Sequence, residues 1–212
     1  MSINIMFRNQ LSGILTTTMI LLIFLVFNSQ AGITQSFKID LKKSKINWIG
    51  EKITGKHLGG INIKSGDLAL DGAKLTGIIE IDMNSMTNYD IADEEYKAKL
   101  IKHLKNDDFF SVDKFPVSTF KMTKASPYKA KSGETANYFV TGMLTIKGIT
   151  NEISFQAQID IKDNYLRATA NIVIDRTKWN IRYGSGSFFD NLGDKAIYDD
   201  IKFEVYLEGV AS

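Results

Sequence analysis

The chain contains no cysteine. Disulfides, thiolate metal sites, cysteine nucleophiles and a lipid-modified N-terminal cysteine are therefore excluded. There are only two prolines and two histidines in 212 residues. His57 and His103 are not spaced as one motif, so no metal site and no cofactor are expected. An excess of charge of one sign is also missing: 26 basic against 24 acidic residues leave a formal +2. That balance offers nucleic acid no electrostatic footprint. Disorder is excluded as well, because 44% hydrophobic and 11% aromatic residues are more than an unfolded chain carries. The length suits one domain with a substantial core.

Residues 1–31 read as a secretory signal peptide. Arg8 is the only charged side chain there and precedes an apolar run from Leu11 to Phe27. At about seventeen residues, interrupted by Ser12, Gly13 and three threonines, the run is marginal for a membrane-spanning helix. It breaks into Asn28-Ser29-Gln30-Ala31, with small residues where a signal peptidase requires them. Cleavage after Ala31 is expected, leaving a soluble periplasmic or secreted protein.

From Ser36 onward the dominant period is two. In Glu152 to Ile161, the residues Ile153, Phe155, Ala157, Ile159 and Ile161 point one way, and polar residues point the other. Ile201, Phe203, Val205 and Leu207 repeat the pattern near the C-terminus. Ile46–Gly50, Leu75–Met83, Val117–Met122, Tyr138–Ile146 and Arg167–Ile174 alternate likewise. Strands with one dry and one wet face belong to antiparallel sheets. Ser65-Gly66-Asp67, Asp71-Gly72, Lys147-Gly148 and Asp163-Asn164 read as turns between them, and residues 138–160 form the clearest hairpin.

One segment breaks the alternation. Asn88 to Leu104 carries Ile91, Tyr96, Leu100, Ile101 and Leu104 at near-helical spacing, with Asp90 or Asn88 as the expected cap. It reads as an amphipathic helix across one end of the sheet, with Phe109 or Phe110 as a plug. Asp93-Glu94-Glu95 suits a solvated helix start. About eight strands and one helix can close into a barrel or stack as a sandwich.

Several stretches resemble the YceI-like family. Ile63-Lys64-Ser65-Gly66-Asp67-Leu68 followed by Asp71-Gly72-Ala73-Lys74-Leu75-Thr76-Gly77 is similar to its opening hairpin. Ile81 to Met86 is similar to the segment that follows. His103-Leu104-Lys105-Asn106-Asp107-Asp108-Phe109-Phe110 resembles its helix-end signature, and Lys114 to Phe120 stands at the expected place. Thr141 to Thr150, Asp175-Arg176-Thr177-Lys178-Trp179-Asn180 and Gly193-Asp194-Lys195 continue the likeness in order, from about Asp40 to Leu207. The resemblance implies an all-β, antiparallel, up-and-down lipocalin-like barrel over residues 36–210, with an elongated interior. It implies a long-chain isoprenoid or similar lipid as partner, such as a quinone or prenyl phosphate, and admits a homodimer.

Under that resemblance, Trp48, Phe120, Met122, Leu144, Phe155, Ile159, Phe203 and Val205 become candidate ligand-binding residues, with Phe109 and Phe110 at the helix end. Methionine suits a pocket that adapts to a flexible chain. The same residues would equally fill a solid barrel, giving a structural or stress-related protein without ligand. His57, in Gly55-Lys56-His57-Leu58-Gly59-Gly60, meets a polar head group or is simply bonded within its loop. His103 fits a helix end or local packing. Asp175, Arg176 and Trp179 are expected to fix a barrel end through an ion pair and cation–π packing, rather than to bind a phosphate. Tyr183 to Ser187 reads as a flexible loop at the mouth, without the strand–loop–helix setting of a phosphate cradle. No Gly-x-Ser-x-Gly elbow is present. A lipid-modifying enzyme is the remaining alternative, and no catalytic residues are expected.

Overall fold

A computed structural model describes residues 34–212; the expected signal peptide and its cleavage point lie outside them. Nine strands follow in order: β1 Thr34–Ile39, β2 Lys45–Lys52, β3 Gly55–Asp71, β4 Lys74–Asp82, β5 Val117–Pro127, β6 Tyr138–Ile146, β7 Ile149–Lys162, β8 Tyr165–Asp175 and β9 Ile197–Ala211. The helix α1, Glu94–Lys105, lies between β4 and β5. Every strand pairs antiparallel with its neighbours, and the sheet closes on itself.

Closure passes through one position shared by two strands. β1 and β2 both pair with β3 on one side and β9 on the other, so nine strands make eight staves. Between them the chain steps out and returns. The Asp40 carboxylate accepts from the amides of Lys42 and Lys43. The Asp40 amide donates to the Glu208 carbonyl, and the Ser44 hydroxyl both donates to that carbonyl and accepts from the Glu208 amide. One residue of β9 thus holds both ends of the detour.

The turns at the closed end are short because their residues tolerate positive φ. Gly72 and Asp163 take φ values of 58° and 53°. At the other end of the barrel, Lys147 and Gly148, at 50° and 72°, form the two-residue hairpin whose twist matches that of its strands. Ser65-Gly66-Asp67 is a correction to the sequence reading. It is not a turn but the middle of β3, just after a register shift between Ile63 and Ser65. Such a bulge curves a strand around a barrel. A side chain at Gly66 would press on Ile39, at 2.7 Å, so this glycine serves close packing rather than chain reversal.

The helix begins later than its apolar spacing suggests. Asp93 caps it, accepting from the amides of Glu95 and Tyr96, while Asn88 and Asp90 are engaged elsewhere. Glu94 and Glu95 in the first turn and Lys102, His103 and Lys105 in the last complement the helix dipole.

Side chains fill one end of the barrel. Phe37, Leu75, Leu166 and Val140 are each at most 2% exposed. With Leu68 and Ile39 they fill the end carrying the β3–β4 and β7–β8 turns. Removing the Phe37 ring would leave a void in this plug. Phe37→Ala is expected to cost about 3–5 kcal/mol, read as a lower urea midpoint at unchanged m.

Candidate functional site

Above that plug the barrel is hollow. A cavity of about 260 Å³, counted as space open to the centre of a water-sized sphere, runs from the Ile159–Ala168 level to the opposite end. One water needs only about 10–15 Å³ on that measure, so the interior is not filled by its own side chains. Small residues open the space. Ala157 faces Ala170 across the β7–β8 pair, and Ala168 faces Ile159, where longer side chains would meet in the middle.

The wall is apolar, and its few polar atoms are spent on the fold. The Trp48 indole N–H donates to the carbonyls of Gly60 and Thr87 at 3.3 and 3.1 Å. The indole of Trp179, which does not line the cavity, donates to the carbonyl of Leu144, which does, at 3.1 Å. The Ser118 hydroxyl rests on the Met83 sulfur. Phe120 and Phe155 lie tilted with centroids 5.6 Å apart. A Cβ at Gly142 would strike the Phe120 ring at 2.5 Å; glycine there lets that ring lie along the wall.

All ten apolar residues singled out from the sequence face this cavity: Trp48, Phe109, Phe110, Phe120, Met122, Leu144, Phe155, Ile159, Phe203 and Val205, with His57 at the rim. Phe109 and Phe110 line it beneath α1 rather than plugging it, since the plug is the Phe37 cluster at the far end. Ile79, Ile81, Ile153 and Ile172 share the wall. The alternation of their strands turns them inward alongside the ten.

The helix closes part of the open end. Leu100 and Leu104 reach the cavity, yet no residue of α1 is fully buried. It is tied down at its C-terminal side. His103 stacks edge-on against Phe109 and Tyr183, at 5.0 and 4.6 Å between centroids, and the Lys105 ammonium donates to the Asn84 carbonyl at 2.7 Å. His103 is therefore a packing residue, one of the two alternatives its position left open.

The rim carries charge, and His57, Glu51 and Arg176 there are each matched. His57 Nδ1 lies 2.8 Å from Asp90, which also accepts from the Leu58 amide and the Asn88 side chain. Asn88 in turn donates to the Leu58 carbonyl. Asn88 and Asp90 therefore latch the segment before α1 onto the start of β3, which corrects their expected role as helix caps. Burial by itself would raise the Asp90 carboxyl, but the bonds from Leu58, His57 and Asn88 outweigh it and hold the group below its ordinary range. Lys202 pairs with Glu51 at 2.7 Å.

Arg176 also borders the cavity, and it is only 1% exposed. Its guanidinium donates to the carbonyls of Tyr198, Ile181 and Ile197 and lies 3.3 Å from Asp199. Burial pulls it below its usual range, and Asp199 and then Asp175 pull against that shift. The expected end-fixing role thus holds with different partners. Asp175 caps the short 3-10 turn Arg176–Trp179 through Thr177, and that turn aims the guanidinium at β9. The cation–π contacts among the described residues are instead Lys99 on Tyr96 and Arg182 on Phe188. The 183–187 stretch is not a free loop either, because Ser185 is fully buried and bridges to Ile197.

The family model described as YceI-like domain matches residues 37–209. The chain belongs to that family. The YceI-like chain is 34% identical over 113 residues to a UPF0312 protein of Staphylococcus aureus (strain USA300), covering 50% of this chain and 58% of the relative. A UPF0312 protein of Yersinia pestis (strain Pestoides F) is 27% identical over 146 residues, covering 66% and 69%. Among solved structures, the fold is similar to that of Burkholderia cenocepacia BcnA, with a TM-score of 0.60 at 23% identity over 80% of this chain and 98% of that one. It is also similar to a polyisoprenoid binding domain from Saccharophagus degradans implicated in plant cell wall breakdown, with a TM-score of 0.57 at 14% identity over 83% and 98%. At such identities the likeness shows the YceI-like fold alone.

The rim latch has a pH signature. A carboxyl held below its ordinary value stabilises the fold above that value and loses the contribution as pH falls through its folded pKa. For Asp90 the window lies below 3.8. Asp90→Asn is expected to lower the urea midpoint near neutral pH. The gap between variant and wild type is expected to close as acid protonates the wild-type carboxylate.

Proposed function

We propose that this barrel is an exported carrier that holds a long-chain apolar molecule of the polyisoprenoid class in its cavity. The observation that carries the reading is a dry bore, plugged at one end by Phe37, Leu75 and Leu166 and bordered by polar groups only at the other. A long hydrocarbon chain gains about 25 cal/mol for each Å² it removes from water. It asks the wall for apolar area and little else. The Saccharophagus domain, which shares the fold and is described as polyisoprenoid binding, supports the ligand class. The hollow interior weighs against a filled structural barrel. His57, Glu51 and Arg176, which line the mouth, are each already paired, which favours holding a molecule over transforming it. The N-terminal segment, with its single charge ahead of an apolar run, supports export with removal of residues 1–31.

Native mass spectrometry of the protein purified from its own host, followed by organic extraction, tests this reading. The expected result is a chain beginning at Gly32 with a bound species whose fragments show isoprenoid spacing. Ala170→Trp, placed where two alanines face each other, is expected to fill the bore and abolish that adduct while the far-ultraviolet circular dichroism stays that of a barrel. A wild-type protein that remains apo when offered isoprenoid quinone and prenyl phosphate would overturn the carrier reading.

A further inference from the structure

One flank of the cavity opening is built to face something apolar. Ile53, at the tip of the β2–β3 hairpin, is 53% exposed, and the adjacent pair Phe188 and Phe189 are 44% and 50% exposed. Single exposed apolar side chains are ordinary, but neighbouring ones call for an explanation. These are neighbours. The Ile53 amide donates to the Ala196 carbonyl, the Ile197 amide to that of Gly184, and the amides of Phe188 and Phe189 both to Ser185. Hairpin tip, β8–β9 loop and the start of β9 therefore form one ledge.

The ledge is held outward. Ser185 anchors it from inside the fold at 0% exposure, the Ser187 hydroxyl donates to Asp199 at 2.6 Å, and the Arg182 guanidinium covers one face of Phe188 at 4.3 Å. Neither phenylalanine lines the cavity; the backbone bonds to Ser185 keep both on the surface. The ledge adjoins the opening, because Lys52, Ile197 and Tyr198 line the cavity and the Ile197 amide bonds to Gly184 of the loop. Charges of both signs occur along these segments: Lys52, Lys56, Arg182 and Lys195 with Asp190, Asp194 and Asp200.

We infer that this ledge docks the barrel mouth onto a lipid bilayer, inserting Ile53, Phe188 and Phe189 into the interfacial region so that cargo passes between membrane and cavity without crossing water. The inference rests on the carrier reading for its cargo, though not for the docking itself. A bilayer is favoured over a protein partner for two reasons. A stable protein interface buries at least about 1,000 Å², more than three side chains on a ledge supply. Aromatic and apolar residues with an arginine nearby are the set that partitions into the membrane–water interface. The mixed charges make insertion, rather than attraction to anionic lipid, the driving force.

The test compares wild type with Ile53→Ser/Phe188→Ser/Phe189→Ser, both expressed as the full chain and purified with the same N-terminus, so that any difference reads the ledge. Flotation with phosphatidylcholine vesicles is expected to show at least about tenfold weaker binding for the variant, and wild-type binding is expected to change little with added salt. Loading of a long-chain isoprenoid quinone from those vesicles is expected to slow in parallel, while equilibrium loading from nonionic detergent micelles stays equal. A wild type that does not float, or a variant that floats and loads as well as wild type, overturns the docking surface and turns the search towards a protein partner. If neither protein loads from micelles, the carrier reading fails, and the flotation difference alone still decides the docking.

Discussion

The fold depends on closure through a stave made in two pieces. β1 and β2 occupy one position between β3 and β9, and their interruption is bridged by the peptide of Glu208 bonding to Asp40 on one side and Ser44 on the other. An open sheet would expose a row of unpaired amides and carbonyls. Here the first strands of the domain meet the last, so no edge remains among the described residues. Closure of this kind joins parts of the chain that are distant in sequence, and such contacts form late and cooperatively. Whatever loosens the 40–44 detour loosens the whole cylinder.

Given closure, the balance between a filled and a hollow interior rests on side-chain size along each stave. Towards one end Phe37, Leu68, Leu75 and Leu166 converge and exclude all space. Towards the other, alanines on β7 and β8 face partners that do not reach across. The same alternation produces both regions, and only residue volume tells them apart. Polar groups follow a complementary rule. In the wall the Trp48 indole is consumed by backbone bonds, and at the rim His57, Glu51 and Arg176 stand in pairs. The cavity therefore attracts by area removed from water and imposes little directional chemistry.

Much of this was legible in the residues. Period-two alternation marked the faces of β6, β7 and β9 correctly, because an inward polar residue in a closed barrel has no partner. The turns at Asp71-Gly72, Lys147-Gly148 and Asp163-Asn164 announced themselves through residues that accept positive φ. Ser65-Gly66-Asp67 misled because a glycine needed for close packing at a bulge has the same letters as a glycine needed for a turn. Asn88 and Asp90 misled for a related reason: a carboxylate that receives backbone amides can cap a helix or latch a strand, and only the fold says which amides lie within reach. Cavity volume was beyond reading altogether, since it is a small difference between the barrel's cross-section and many side-chain volumes. Residue letters fix neither the tilt nor the stagger that sets that cross-section.

The plug makes the bore blind, and a blind bore measures length. From Ile197 at the rim to Leu207 near the plug, both of which line the cavity, β9 runs about 33 Å at roughly 3.3 Å per residue. With strands tilted by some 35–45°, the usable depth is about 25 Å. A chain shorter than this sits wholly inside and leaves the mouth to water. A longer one cannot pass beyond Phe37 and must leave its remainder outside, beside the ledge of the β8–β9 loop. If the cavity holds a chain, the position of one phenylalanine ring sets how much of that chain protrudes.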